Sequence, residues 1–375
     1  MTENSATGHH AVVWNEPLIY ELGKKGRRGS AIIGVEEEIR KRTGDVLSEI
    51  PDSMRRREPV NLPELSEPEV VRHFIHLSQQ TFGVDSGVIL GVGTCTMKYN
   101  PKINEALARS PKLTETHPLQ DTSTVQGILE IMYRLGKHLC TISGMDQFSF
   151  QPRGGAHAVL TNALIMRAYH EMNGELERNE IVTPILSHPC NGGSPSVAGF
   201  KVVTVYPNPE TGIPDVEALK AAVSGHTAGM TITDPYDTGI FDPNIEEYIK
   251  IVHEAGGLVA VDQANANSLL GRLRIGDVGA DLCHFNLHKS FSTPHGSHGP
   301  GSAPIGVKKH LAKFLPVPTV DFDGKKYYLD YDRPHSIGKV TGFYGTIPAV
   351  LKAYAWIMTM GAEGLKETSE VAVMN

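Results

Sequence analysis

Cysteine is scarce in this chain. Its 375 residues hold four, Cys95, Cys140, Cys190 and Cys283, and no two form a C-x-x-C pair. That scatter argues against a disulfide framework and for reduced thiols in the cytoplasm. Long apolar runs are missing too: no stretch of about 18 apolar residues occurs, so no segment is expected to span a membrane. The start, MTENSATGHH, lacks both the charged-then-apolar layout of a secretory signal and the Arg-rich amphipathic form of a mitochondrial presequence. Positive charge is not in surplus. With 35 Lys and Arg against 42 Asp and Glu, the formal charge is −7. This argues against nucleic acid as a partner, because phosphates need a clustered positive surface. The short basic clusters KKGRRG (24–29) and RRR (55–57) read as solvated loop or helix charges. No repeats or low-complexity segments stand out.

What is present is ordinary globular composition, 40% hydrophobic and 21% charged, with ample material for a large core. Residues 1–85 start irregularly, and Pro51, Pro59, Pro63 and Pro68 favour extended segments and turns. EVVRHFIHLSQQTF, after Pro68, has helical spacing. This region is expected to form an N-terminal arm wrapping a larger body. From 86 to 320 the texture alternates. Strands are predicted at 146–152, 180–186, 200–207, 228–235 and 258–265, and helices at 125–144, 154–174, 215–224 and 244–257. Such alternation predicts an α/β fold with a mainly parallel sheet covered by helices on both faces. DFDGKKYYLDYD then predicts a hairpin around Asp323-Gly324, followed by a helix over 347–361. Residues 321–375 are read as the start of a C-terminal domain.

In open α/β sheets, ligands bind beyond the carboxyl ends of the strands, and three features are predicted at such ends. Gln151-Pro152-Arg153-Gly154-Gly155-Ala156-His157 joins a strand to a helix N-terminus, where backbone N–H groups favour a phosphate. A tight turn that needs glycine is the plainer reading of the same residues. Asp262 ends the apolar run Leu258-Val259-Ala260-Val261, and a carboxylate there needs a cationic or hydrogen-bonding partner. Lys289 follows the strand-like DLCHFNLH. Together these meet the needs of pyridoxal 5′-phosphate (PLP): a phosphate cradle, an acid to keep the pyridine nitrogen protonated, and a lysine for the Schiff base. The rival reading is a metal held by His284, His288, His295 and His298. It is disfavoured because the segment follows a strand, so the i, i+4 facing of His284 and His288 is not assured, and a zinc site needs three or four convergent ligands. GVGTCT (91–96) lacks the third glycine and the distal acid of a dinucleotide fingerprint.

HFNLHKSFSTPHGSHGPG (284–301), followed by PIGVKKHLAKFLPVP, resembles the glycine-decarboxylating P-protein of the glycine cleavage system. It is most similar to the second subunit of that protein's split, two-subunit form. GTCTMKYNP (93–101), HPLQ (117–120), VQG (125–127), HEAGG (253–257) and LDYDRPHSIGKV (329–340) extend the likeness. The resemblance implies the aminotransferase-like fold type I of PLP enzymes. It also implies PLP-dependent decarboxylation of glycine, with transfer of the aminomethyl group to the lipoyl arm of H-protein. The expected partners are P-protein subunit 1, in a two-plus-two heterotetramer, and lipoylated H-protein. By the same likeness Lys289 holds the cofactor covalently, Asp262 pairs with the pyridine nitrogen and His188 stacks on the ring. Gly155 and Ala156 hold the phosphate, His288 precedes the lysine, and Thr94 and Thr96 lie on the substrate side. The family's chain normally runs on past residue 375, so a shortened C-terminal domain is expected.

The chain departs from the family pattern where the cofactor is expected. His188-Pro189-Cys190-Asn191-Gly192-Gly193 stands for H-G-T-N-P-A, and Thr233-Asp234-Pro235-Tyr236 for T-N-P-N. Asp262-Gln263-Ala264-Asn265 stands for D-G-A-N, and His295-Gly296-Ser297-His298-Gly299-Pro300-Gly301 for H-G-G-G-G-P-G. These departures leave open a paralogue acting on another amino acid, and the shortened C-terminal region leaves open a non-catalytic partner subunit.

Overall fold

The structure, a computed structural model, describes residues 14–27, 29, 34–58, 60–80, 99–293 and 301–375. The chain divides into two compact units, Met1–Val88 and Ile89–Asn375.

In the first unit the chief element is the helix Glu67–Gln79, opened by a capping box between Ser66 and Glu69 with Pro68 in the first turn. His73 and His76, one turn apart on this helix, direct their Nδ1 atoms at one carboxylate, that of Glu16, at 2.8 and 2.7 Å. Trp14 stacks on His76 with ring centroids 3.9 Å apart. The extended segment before the first short helix is thereby tied to Glu67–Gln79.

The second unit is built on a seven-stranded sheet. Its strands are β1 (Gln147–Ser149), β2 (Glu180–Pro184), β3 (Lys201–Val205), β4 (Thr227–Thr233), β5 (Leu258–Gln263), β6 (Leu282–Phe285) and β7 (Ile305–Val307). They lie in the order β1-β7-β6-β5-β4-β2-β3. β3, β2, β4, β5 and β6 pair in parallel, while β7 runs antiparallel to both β6 and β1. All strands but β7 therefore end at the same edge. Sequence reading missed β7, because three residues between Pro304 and Lys308 are too short to show an alternation. The hairpin predicted at Asp323-Gly324 is present as β8 (Thr319–Phe322) and β9 (Tyr327–Asp330).

Helices cover both faces. Gln126–Ser143 buries Leu129, Met132, Leu135 and Leu139, an apolar stripe at helical spacing. It stops at Gly144, whose φ of 76° lies in the left-handed region. With Ile245–Glu254 it packs against one face of the sheet, and Gly155–Met172 packs against the other. β5 shows how a strand serves both layers: Val259 and Val261 join the first core, Leu258 and Ala260 the second. The final helix, Ile347–Met374, is longer than the predicted 347–361 and changes direction at Gly361, where φ is 63° and ψ −176°. Among the described residues, no helix is long and apolar enough to cross a membrane.

Candidate active site

Strand alternation sets the site. Continuing the period of β5, Asp262 points to the same face as Leu258 and Ala260, the face covered by the helix Gly155–Met172. In register beside it stand Thr233 on β4 and His284 on β6. Three polar side chains thus share one level near the carboxyl edge, under the N-terminus of that helix.

Asp262 is buried, and both of its oxygens are engaged. Oδ2 accepts from Asn191 Nδ2 at 2.9 Å and from Thr233 Oγ1 at 3.3 Å. Oδ1 accepts the Ala264 N–H at 2.9 Å and lies 3.1 Å from His284 Nε2, an ion-pair contact without the alignment of a hydrogen bond. Burial by itself would push this carboxyl up. The His284 imidazole, the Ala264 N–H and the Asn191 amide outweigh it and hold Asp262 below the usual carboxylate range. It is therefore an anion at neutral pH.

Asp262 borders a cavity of about 820 Å³, which also takes in Gly155, Ala156, His188, His288 and Lys289. The structure thus brings together six of the eight residues singled out from the sequence. The other two, Thr94 and Thr96, lie outside the described residues, as do His295, Ser297 and His298. Lys289 sits half-buried on the short helix Leu287–Ser290, whose turn is braced by the Ser290 hydroxyl accepting the Ala266 N–H at 2.8 Å. His188 follows β2, and its Nδ1 accepts the Cys190 N–H at 3.2 Å. His288 Nδ1 accepts the Ser302 N–H at 3.2 Å, and His284 is engaged with Asp262, so these two histidines do not converge. Among the described residues, no cluster of three metal-ligating side chains occurs.

Asn286 was missed in the sequence. It is buried on the cavity wall, and its Oδ1 has no partner among the described residues. A Cβ on Gly155 would stand 3.2 Å from its Nδ2, so the missing side chain leaves a polar niche at the start of the 18-residue helix Gly155–Met172. The first N–H groups of a helix lack intrahelical acceptors. Those groups, a buried amide and a fixed carboxylate deeper in the cavity fit a molecule with a phosphate at one end and a protonated ring nitrogen elsewhere. Asn191, Thr233 and His284 were likewise unassigned from sequence. Strand register reveals Thr233 and His284 as Asp262's partners, and the first turn of the helix Cys190–Val197 brings in Asn191.

Comparison with known proteins agrees with this architecture. No family model matches the chain. The probable glycine dehydrogenase (decarboxylating) subunit 2 of Pyrococcus abyssi is 50% identical over 364 residues, which span 96% of this chain and 71% of that protein. Its counterpart in Caldanaerobacter subterraneus subsp. tengcongensis is 51% identical over 360 residues, 96% of this chain and 73% of the relative. The counterpart in Bacillus licheniformis is 46% identical over 361 residues, with the same shares. Among solved structures, an inhibitor-bound glycine decarboxylase (P-protein) of the glycine cleavage system superposes with a TM-score of 0.71. It is 20% identical, covering 90% of this chain and 78% of that one. A glutamate decarboxylase from Lactobacillus brevis superposes with a TM-score of 0.61 at 13% identity, covering 87% and 75%. These likenesses show the fold, type I of the PLP-dependent enzymes, as the sequence led one to expect. With about half of its residues shared along nearly its whole length, the chain belongs to the family of subunit 2 of glycine dehydrogenase (decarboxylating).

Proposed function

We propose that this chain is the PLP-carrying subunit of a glycine-decarboxylating enzyme, removing the carboxylate of glycine and passing the aminomethyl group to the lipoyl arm of H-protein. The observation that carries this reading is the convergence of Lys289, the anionic Asp262 and the Gly155 niche on one cavity. Lys289 would hold the cofactor covalently. Gly155, Ala156 and Asn286 would hold its phosphate, and His188 the face of its ring. When bound, PLP supplies an electron sink for the bond broken at the substrate's Cα.

The chain's own residues set the conditions for that chemistry. Asp262 presents a negative charge that hydrogen bonds keep from moving or protonating, and it would hold a proton on the ring nitrogen of the bound cofactor. Asn286 and His288 are buried on the cavity wall and His284 is buried beside Asp262, surroundings of low polarisability that would strengthen that interaction. Thr94 and Thr96 are assigned to the substrate side, and His288 to the wall beside the lysine.

The same reading makes residues 86–320 the cofactor-binding body. It pairs the chain with P-protein subunit 1 in a heterotetramer. Cys140, Cys190 and Cys283 are free, which fits a cytoplasmic setting. The test is direct. Protein incubated with PLP turns yellow, borohydride fixes the cofactor to one peptide, and that peptide contains Lys289. With subunit 1 and H-protein added, glycine exchanges its carboxyl with bicarbonate. Label on a different lysine refutes the site, and labelled Lys289 without exchange refutes the substrate.

A further inference from the structure

The short helix after β2, Cys190–Val197, carries a residue that neither the motif comparison nor the cavity lining brings forward. Asn191 is 1% exposed. Its Nδ2 offers two N–H groups to three acceptors within reach, Asp262 Oδ2 at 2.9 Å, Thr233 Oγ1 at 2.9 Å and the His188 carbonyl at 3.3 Å. Its own carbonyl accepts the Thr231 hydroxyl at 2.8 Å, and its N–H donates to the His188 carbonyl at 2.8 Å. Thr233 Oγ1 also accepts the His188 N–H at 3.0 Å. Both backbone polar groups of His188 are therefore held by the same two side chains that hold the Asp262 carboxylate.

We infer that Asn191 is the positioning residue of this site, one buried amide that sets Asp262 and His188 together. The inference rests on the functional reading above, in which those two residues meet the cofactor at its ring nitrogen and its ring face. The geometry shows why the role needs an amide. Asp262 Oδ2 takes its shorter hydrogen bond from this amide, and the His188 carbonyl takes a second one from it beside the Asn191 backbone N–H. A primary amide supplies two N–H groups from one atom, whereas a hydroxyl supplies one and a carboxylate none. The contacts also run across three elements, the helix Cys190–Val197, β4 and β5. Losing the amide takes one donor from the carboxylate and one from the histidine segment at once, leaving Asp262 Oδ2 to Thr233 Oγ1 alone.

Two variants test this. Asn191→Ala removes the amide, and Asn191→Asp keeps its shape while replacing the donor by an acceptor. Each is checked as apoprotein for folding by far-ultraviolet circular dichroism; where one fails to fold, the other decides. PLP affinity is measured by absorbance titration, and the asymmetry of the bound cofactor by its visible circular dichroism. Asn191→Ala is expected to bind PLP about tenfold more weakly or worse, the equivalent of one buried acceptor left unpaired. Its visible dichroic band should shrink, and Asn191→Asp should be at least as impaired. If either folded variant binds PLP within about twofold of wild type with an unchanged band, Asn191 is only a structural residue and the inference falls, whatever happens to the thermal midpoint. Wild-type protein that takes up no PLP overturns the functional reading along with it, a result distinct from equal uptake by wild type and variant.

Discussion

Asp234 offers a perturbation whose sign reverses with pH. The residue directly follows β4 and is fully buried. Its Oδ1 accepts the Asp242 N–H at 3.0 Å, whereas Oδ2 has no partner among the described residues. Asp242 is itself buried, with its carboxylate taken up by the Tyr236 hydroxyl and the Asn244 N–H. Burial pushes the Asp234 carboxyl up to about 7, with the Asp242 charge adding and the Asp242 N–H opposing. A folded-state value above the unfolded 3.8 means that the native state binds the extra proton between about pH 4 and pH 7. Stability is full below that window and falls as pH rises through it. The accumulated penalty above pH 7 is about 4 kcal/mol at most.

The family pattern carries asparagine at this position. Asp234→Asn would keep the Oδ1 acceptor and remove the ionisation. It would leave a buried amide N–H in place of Oδ2, at a cost of about 1–3 kcal/mol. The substitution should therefore stabilise the second unit by roughly 1–3 kcal/mol near pH 8.5, and should be neutral or destabilising near pH 5. Urea unfolding followed by circular dichroism at both pH values, on wild type and variant, reads the difference. A variant no more stable than wild type at the higher pH, or a gap that does not change with pH, would show that Asp234 is solvated or paired in the folded protein.

Two further expectations follow from the same geometry. Gly155→Ala places a methyl 3.2 Å from Asn286 Nδ2, so PLP binding should weaken by about tenfold in a spectroscopic titration while the apoprotein's thermal midpoint moves by less than about 2 °C. His253 donates to the Asp281 carboxylate at 2.7 Å, which raises its pKa. Its stabilising contribution is present below the ordinary histidine value and lost as pH rises through the raised one. The midpoint difference between wild type and His253→Gln should accordingly be larger near pH 6 than near pH 9, and an equal difference at both would assign the contact to packing alone.

Local features were legible in the sequence because their causes are local. Gly144 ends a helix that its apolar spacing announced, Asp323-Gly324 turns a hairpin, and Lys289 and Asp262 lie in stretches whose character shows in a few residues. The partners of Asp262 were not legible, because Thr233 and His284 meet it only through strand pairing, 29 and 22 residues away. Asn191 was visible as a letter shared with the family pattern, yet its role needs three elements brought together. Asn286 lay in plain sight within FNLHK. Nothing in its neighbours said that its amide would be buried facing a glycine.

The break at Gly361 gives the cavity a lever arm. Ala372 and Val373, close to the end of that helix, form part of the cavity wall, and Val373 lies about 18 Å beyond the break at helical rise. A rotation of about 10° at Gly361 would swing that wall by about 3 Å. The φ and ψ found there are open essentially to glycine alone. Any larger residue would strain the pivot, and the error would surface at the cavity wall rather than where the substitution was made. Position 361 thus acts at a distance on the shape of the cavity, and a substitution there would change the site without replacing any residue that lines it.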